Sequence, residues 1–344
     1  MKKTAVVVCP GRGTYNRNEL GYLHQFHENK FDMIKRIDEY RKRKNQVSIW
    51  ELDGKKNFSI KEHLPGENSA ALIYACSYGD FLDINLNKYE ISAVTGNSMG
   101  WYSSLVCAGA LNLDNGIHLI NSMGSQMKDK LIGGQILYPE VNEDWIHSQE
   151  LTQLLDQKIE ETNKIIGHEA YNSISYGGYR VIGANENGLK FLMNELPQRE
   201  GRYPLHLPAN AAFHTPLLTN TSIRAKLELS SDLFQSPKIP LIDGRGKIWM
   251  PHSTDPWELW NYTLGHQVDN TYDFSRSIEV AVKEFAPDYL ILTGPGTNLG
   301  GAVAQILINR RLKPILNKED FKKQQQENPY ILAMGELGQR ELTK

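Results

Sequence analysis

The sequence predicts the α/β fold class: a parallel-sheet, α/β-hydrolase-like large domain carrying an inserted ferredoxin-like small domain. Three observations predict it. Short β-rich runs alternate with helical apolar spacing in the N-terminal part and again near residue 290, as when helices join parallel strands. One such run, 91–95, leads straight into Gly96-Asn97-Ser98-Met99-Gly100 and then into a small-residue helix, the strand–turn–helix setting of a nucleophile elbow. Between about Gly134 and Pro208 the order becomes βαββαβ, that of a ferredoxin-like unit. The expected division is a core of 1–132 with 209–344 and an insert of 133–208; a chain of 344 residues is long enough for both.

The elements follow in order. Residues 4–9 form an apolar run stopped by Pro10-Gly11, a buried strand and a tight loop. That run is only about six residues long, too short for the apolar segment of a signal peptide. Residues 30–45 carry helical spacing at Phe31, Ile34, Ile37 and Tyr40 and end in the basic run Arg41-Lys42-Arg43-Lys44, a solvated helix end by ordinary expectation. A second helix is expected over 69–82, a strand over 91–95 and a helix over 101–110. A further helix over 114–130 has Ile117, Ile120 and Met127 among its buried positions. In the insert the expected elements are a strand (135–141), a helix (145–166), two strands around Gly177-Gly178, a helix (188–196) and a strand (204–207). A strand over 289–293 and a helix over 298–309 resume the α/β pattern, while the polar tail from Lys318 carries no signal.

Composition excludes several classes. Lys and Arg total 38 against 40 Asp and Glu, with net charge −2, unlike a nucleic-acid binder. No apolar run approaches the roughly 18 residues of a membrane span. Cys9, Cys76 and Cys107 lie in apolar or small-residue surroundings without CxxC spacing, as reduced core thiols of a cytoplasmic protein would. The histidines include no HExxH pair, so no metal is expected on that ground. Gly294-Pro295-Gly296-Thr297-Asn298-Leu299-Gly300 imitates a dinucleotide loop. The third glycine of that fingerprint would fall at Leu299, so no such cofactor is expected.

The elbow carries chemistry. Side chains at either flanking glycine would clash in so sharp a turn. The turn lifts the serine oxygen and puts Ser98 at a helix N-terminus, whose free N–H groups suit an acyl-transfer oxyanion. A serine nucleophile needs a base. His214, in Ala211-Ala212-Phe213-His214-Thr215-Pro216-Leu217-Leu218 just after the insert, is the candidate.

These stretches together resemble a known family. Gly96 to Gly100, with Tyr102-Ser103 and Val106-Cys107-Ala108-Gly109, is similar to GHSxGEYSA…CAG. Ala212-Phe213-His214-Thr215-Pro216-Leu217 resembles AFHSPLM, and Leu264-Gly265-His266-Gln267-Val268 a segment bearing a glutamine. Gly294-Pro295-Gly296…Leu299 is similar to GPGxxL, and Cys9-Pro10-Gly11-Arg12-Gly13 to FPGQG. Over nearly the whole chain the resemblance is to the malonyl-CoA:acyl carrier protein transacylases, the acyltransferase family of fatty acid and polyketide synthesis, with this chain as a divergent member. It implies Ser98 as nucleophile and His214 as base, oriented by a backbone carbonyl rather than an Asp. It implies an oxyanion hole of the Met99 and Arg12 backbone N–H groups, with Gln267 supporting the site. It further implies acyl-CoA as substrate, acyl carrier protein as partner, and no bound metal or redox cofactor.

The departures lie in the pocket. The family's carboxylate-binding arginine falls at Met123, a register supported by Gly124 and Met127. Methionine cannot make the bidentate pair that guanidinium makes with a carboxylate. Leaving a buried carboxylate unpaired costs roughly 3–5 kcal/mol. The family's histidine before the serine is Asn97, its glutamate after the elbow is Trp101, and its N-terminal-loop glutamine is Arg12. The glutamine of the earlier helix is absent from Asn68-Ser69-Ala70-Ala71. The acyl pocket is expected to hold Met123, Trp101, Phe213 and Asn97, which favours an uncharged short acyl group such as acetyl over malonyl. Arg12 stays open: turned into the cleft it would replace the carboxylate clamp, and turned outward it would be a loop arginine or a contact for CoA phosphate. The basic run at 41–44 has a second reading, attraction of an acidic carrier protein. The function expected is an acyl-carrier-protein S-malonyltransferase-like acyltransferase. The alternatives are a hydrolase using the same Ser/His pair and a non-catalytic carrier-binding partner.

Overall fold

The computed structural model describes residues 1–126, 128 and 131–344. Its strands, in chain order, are β1 (Lys3–Cys9), β2 (Tyr89–Gly96), β3 (Gly134–Pro139), β4 (Ala170–Tyr176), β5 (Tyr179–Ala184), β6 (Leu205–His206), β7 (Leu241–Ile242), β8 (Ile248–Trp249), β9 (Tyr272–Asp273), β10 (Tyr289–Leu292) and β11 (Ile331–Ala333). They form two sheets, ordered β11-β10-β1-β2-β7-β8 and β6-β3-β5-β4-β9. The first is parallel except for the β7–β8 hairpin. β1 lies in its middle, and Ala5 to Cys9 are wholly buried, which is why the run reads as continuously apolar rather than alternating.

Register aligns the functional end of this sheet. Cys9 pairs with Gly96, so β1 and β2 finish together at the carboxyl edge, where open α/β sheets bind ligands. The Asn97 N–H donates to the Cys9 carbonyl at 3.0 Å, which ties the Pro10–Gly13 loop to the elbow.

The second sheet has the ferredoxin-like order in β6-β3-β5-β4, with the helices Gln149–Lys164 and Glu186–Glu195 on it. Leu151, Leu155 and Leu192 from those helices meet Ile136, Tyr138 and Ile182 in a small separate core. The sheet gains a strand from beyond the insert: β9 pairs in parallel with β4, Tyr272 opposite Ile174. Ile174 and Val181 belong to the large core, so the two sheets share apolar packing.

Three sequence expectations change. The polar tail is structured, with the helices Lys318–Glu327 and Leu337–Thr343 flanking β11, which extends the sheet edge beside β10. Its anchor is Arg340, buried to 1% exposure, whose Nη2 lies 2.6 Å from Asp80 and whose guanidinium covers Phe26 at 4.1 Å. The basic run at the end of the helix Phe31–Arg43 is not uniformly solvated. Arg41 is fully buried and donates to the carbonyls of Val47 and Glu67 and to the side chains of Asn68 and Asn121. The helix expected over 114–130 is described as Leu113–Ser125, and Met127 lies outside the described residues. The Gly294-Pro295-Gly296 loop folds onto the protein itself: the Gly294 N–H donates to Asp80 at 2.6 Å, and a Cβ there would lie 2.0 Å from the Tyr22 hydroxyl oxygen. Among the described residues no helix is long and apolar enough to cross a membrane.

Candidate active site

The elbow is built from backbone collisions that only glycine avoids. A Cβ on Gly96 would lie 2.4 Å from the Gly100 carbonyl group, and one on Gly100 would lie 2.2 Å from the Cys9 carbonyl oxygen. Between them Ser98 takes φ +53°, a left-handed conformation unusual for a side-chain-bearing residue and typical of strained functional turns. The helix Gly100–Cys107 starts directly after it.

His214 reaches the serine from the loop that follows the insert. It also sits at positive φ, +57°, and its N–H donates to the Val268 carbonyl at 3.0 Å. The ring spans two oxygens: Nδ1 is 2.5 Å from the Gln267 carbonyl and Nε2 is 2.7 Å from Ser98 Oγ. A carbonyl can only accept, so Nδ1 carries the hydrogen and Nε2 presents its lone pair to the serine hydroxyl. Burial pushes the imidazole pKa down to about 4; the Gln267 carbonyl opposes this and His266 adds to it. His214 is therefore neutral near pH 7, and the arrangement can remove the serine proton.

Gln267 holds both partners. Its backbone carbonyl orients His214, its Nε2 donates to the Ser98 carbonyl at 3.1 Å, and its Oε1 accepts from the Tyr102 hydroxyl at 2.8 Å. Burial raises the Tyr102 pKa far above neutrality, so that hydroxyl remains a donor. Tyr272, from the shared strand β9, donates to the Gly96 carbonyl at 2.5 Å and packs 5.3 Å from the His214 ring. The small sheet thus braces the elbow. Among the described residues, the backbone N–H groups of Met99 and Arg12 have no acceptor, which leaves both available to a ligand oxygen.

Ser98 and His214 open into a cavity. Met123, Phe213 and Arg12 line it, as do Tyr102 and Gln126. Met123 comes from the helix Leu113–Ser125, which starts where the Asn112 side chain accepts from the Asn115 N–H at 2.9 Å. Arg12 faces inward: Nη2 donates to the carbonyls of Leu64 and Ala209 at 3.2 and 2.9 Å, and the guanidinium lies 5.5 Å from the Phe213 ring centroid.

Two expected pocket residues are elsewhere. Trp101 is fully buried on the far side of its helix, where Nε1 donates to Thr263 at 3.0 Å and the ring meets Tyr262 edge-on. It follows Gly100 by about 100° of helical rotation, which turns it away from the serine, whereas Tyr102 faces the site. Asn97 packs under the Gly11 loop, with Nδ2 3.0 Å from where a Gly11 Cβ would lie, and does not line the cavity. Sequence reasoning missed Tyr102 as a lining residue, because Ser98 precedes the helix Gly100–Cys107 and helical spacing cannot be counted from it. Gln126 had no signal either. A separate donor cluster of His27, Asp80 and Asp83 is already paired with Arg340 and Lys30, so a further cation there would meet two positive side chains.

No protein-family model matches the chain. The malonyl CoA-acyl carrier protein transacylase of Bacillus subtilis is 26% identical over 236 residues, 67% of this chain and 70% of that protein. An acyl-carrier-protein S-malonyltransferase structure from Burkholderia pseudomallei superimposes with TM-score 0.75 at 17% identity, covering 100% of this chain and 99% of the other. A malonyl-transacylase solved in complex with a type II polyketide synthase acyl carrier protein superimposes with TM-score 0.70 at 16% identity, covering 99% of each chain.

Proposed function

We propose that the chain, similar in sequence and in fold to the malonyl-CoA:acyl carrier protein transacylases, is a divergent member of that family and moves a short acyl group from coenzyme A to the phosphopantetheine thiol of an acyl carrier protein. Ser98 Oγ attacks the thioester carbonyl while His214 Nε2 takes its proton. The tetrahedral oxyanion is received by the backbone N–H groups of Met99 and Arg12. Collapse breaks the carbon–sulfur bond, and the departing thiolate takes the proton back from His214, leaving an acyl ester on Ser98. The carrier thiol then gives its proton to His214 and attacks that ester. Loss of the Ser98 oxygen, reprotonated by His214, releases the carrier protein with the acyl group now in thioester linkage to its thiol and restores the enzyme.

The observation that carries this reading is the unbroken line Ser98 Oγ–His214–Gln267 carbonyl, at 2.7 and 2.5 Å, opening into a cavity. The test is intact-mass spectrometry of the protein with acyl-CoA, followed by addition of holo acyl carrier protein. A Ser98 adduct that passes to the carrier is expected, and Ser98→Ala should show none. Labelling of that variant at full rate would remove Ser98 from the mechanism. Free acid appearing ahead of acylated carrier would replace transfer with hydrolysis.

A further inference from the structure

We propose that the Arg12 guanidinium is the counter-charge for a carboxylate at the far end of the acyl group, taking over in this chain a task that position 123 has lost. The inference rests on the acyl-transfer reading above. Among the described residues lining the cavity, Arg12 is the one with a permanent charge. No acidic side chain pairs with it among the described residues; its contacts are two carbonyls on Nη2 and the face of Phe213. Nε is buried without an acceptor, and Nη1 has no partner among the described residues. Arg12 is half-buried, and the carbonyl dipoles on Nη2 offset only part of the cost of removing its charge from water. Burial alone lowers the Arg12 pKa to about 10, still far above neutrality, so the charge persists.

Its position matches the missing clamp. The helices Gly66–Asp83 and Leu113–Ser125 nearly touch at Gly66 and Gly124. A Cβ on Gly66 would lie 2.5 Å from the Gly124 carbonyl oxygen and 3.8 Å from Arg12 Nη1. The guanidinium therefore reaches the backbone beside Met123. The Leu64 and Ala209 carbonyls on Nη2 and the Phe213 ring hold the guanidinium in place, leaving the Nη1 hydrogens uncommitted for a single charge-assisted bond to a carboxylate. The acyl groups that fit are short ones ending in a carboxylate, of which malonyl is the shortest with a free acid.

An anion at Arg12 has two possible sources, the acyl carboxylate and a phosphate of the pantetheine arm, and the experiment separates them. Rates of Ser98 acylation are measured by quenched intact-mass spectrometry with malonyl-CoA and with acetyl-CoA, for the natural protein, Arg12→Gln and Arg12→Gln/Met123→Arg. The natural protein should load malonyl faster than acetyl. Arg12→Gln should lower malonyl loading about 100-fold more than acetyl loading, the scale of leaving one buried charge unpaired. The double variant should recover malonyl loading. Equal losses with both substrates would overturn the proposal and assign Arg12 to phosphate or to loop packing. Acetyl loading without malonyl loading by the natural protein would overturn it with no variant needed, whether or not Arg12→Gln folds. If the natural protein loads neither, the acyl-transfer reading fails, and this inference with it.

Discussion

Acidification probes the state of the base directly. His214 is buried and has no acid beside it among the described residues, and its pKa lies at about 4 rather than near 6.5. The sign follows: a depressed histidine pKa keeps the neutral, proton-accepting ring present at lower pH. With a midpoint near 4, about 97% of His214 is neutral at pH 5.5, whereas an unperturbed ring would be only about 9% neutral. Acylation of Ser98 at pH 5.5 should therefore run at nearly its pH 8 rate, against an expected loss of about tenfold for an ordinary histidine. The assay is single-turnover acyl-Ser98 formation from acyl-CoA between pH 4.5 and 8, followed by quench and intact mass. A rate that halves near pH 6.5 would refute the buried, neutral base. Stability follows the same linkage: the unfolded chain binds a proton below about pH 6.5 that the folded ring refuses until about pH 4. This residue's contribution therefore falls across that window, by about 3 kcal/mol in total.

Other expectations are independent of that one. His214→Ala should slow Ser98 acylation by several orders of magnitude, as when a paired base is lost; a drop of less than about tenfold would place the base elsewhere. Trp101→Phe should leave the ratio of malonyl to acetyl loading unchanged, because the indole is outside the cavity, while lowering stability by about 1 kcal/mol through loss of the Thr263 hydrogen bond; a shifted ratio would return Trp101 to the pocket. Arg340→Met leaves Asp80 buried without its guanidinium and should cost about 3–5 kcal/mol in denaturant unfolding; an unchanged midpoint would mean that the C-terminal helix is not anchored there.

Sequence alone determined what local chemistry dictates. The Val-rich strand, the two elbow glycines around Ser98 and the βαββαβ order of the insert each follow from periodicity or from steric needs confined to a few residues. The motif around His214 marked a second candidate, and Gln267 was marked only through the resemblance to the transacylases. Tertiary structure decided everything that depends on direction. Trp101 and Tyr102 are adjacent in sequence, yet one helical step turns the first into the core and the second onto Gln267. Arg12 and Arg41 are both basic residues in unremarkable contexts. One is drawn into the cavity by the Leu64 and Ala209 carbonyls, the other into a buried nest of backbone and amide oxygens. The polar tail hid a sheet-edge strand because three apolar residues carry no period, and its helix is anchored by Asp80, 260 positions away from Arg340. Sequence spacing specifies what a segment can form on its own. Which side chain faces the serine is set by packing and by buried polar groups finding partners, and those partners come from distant parts of the chain.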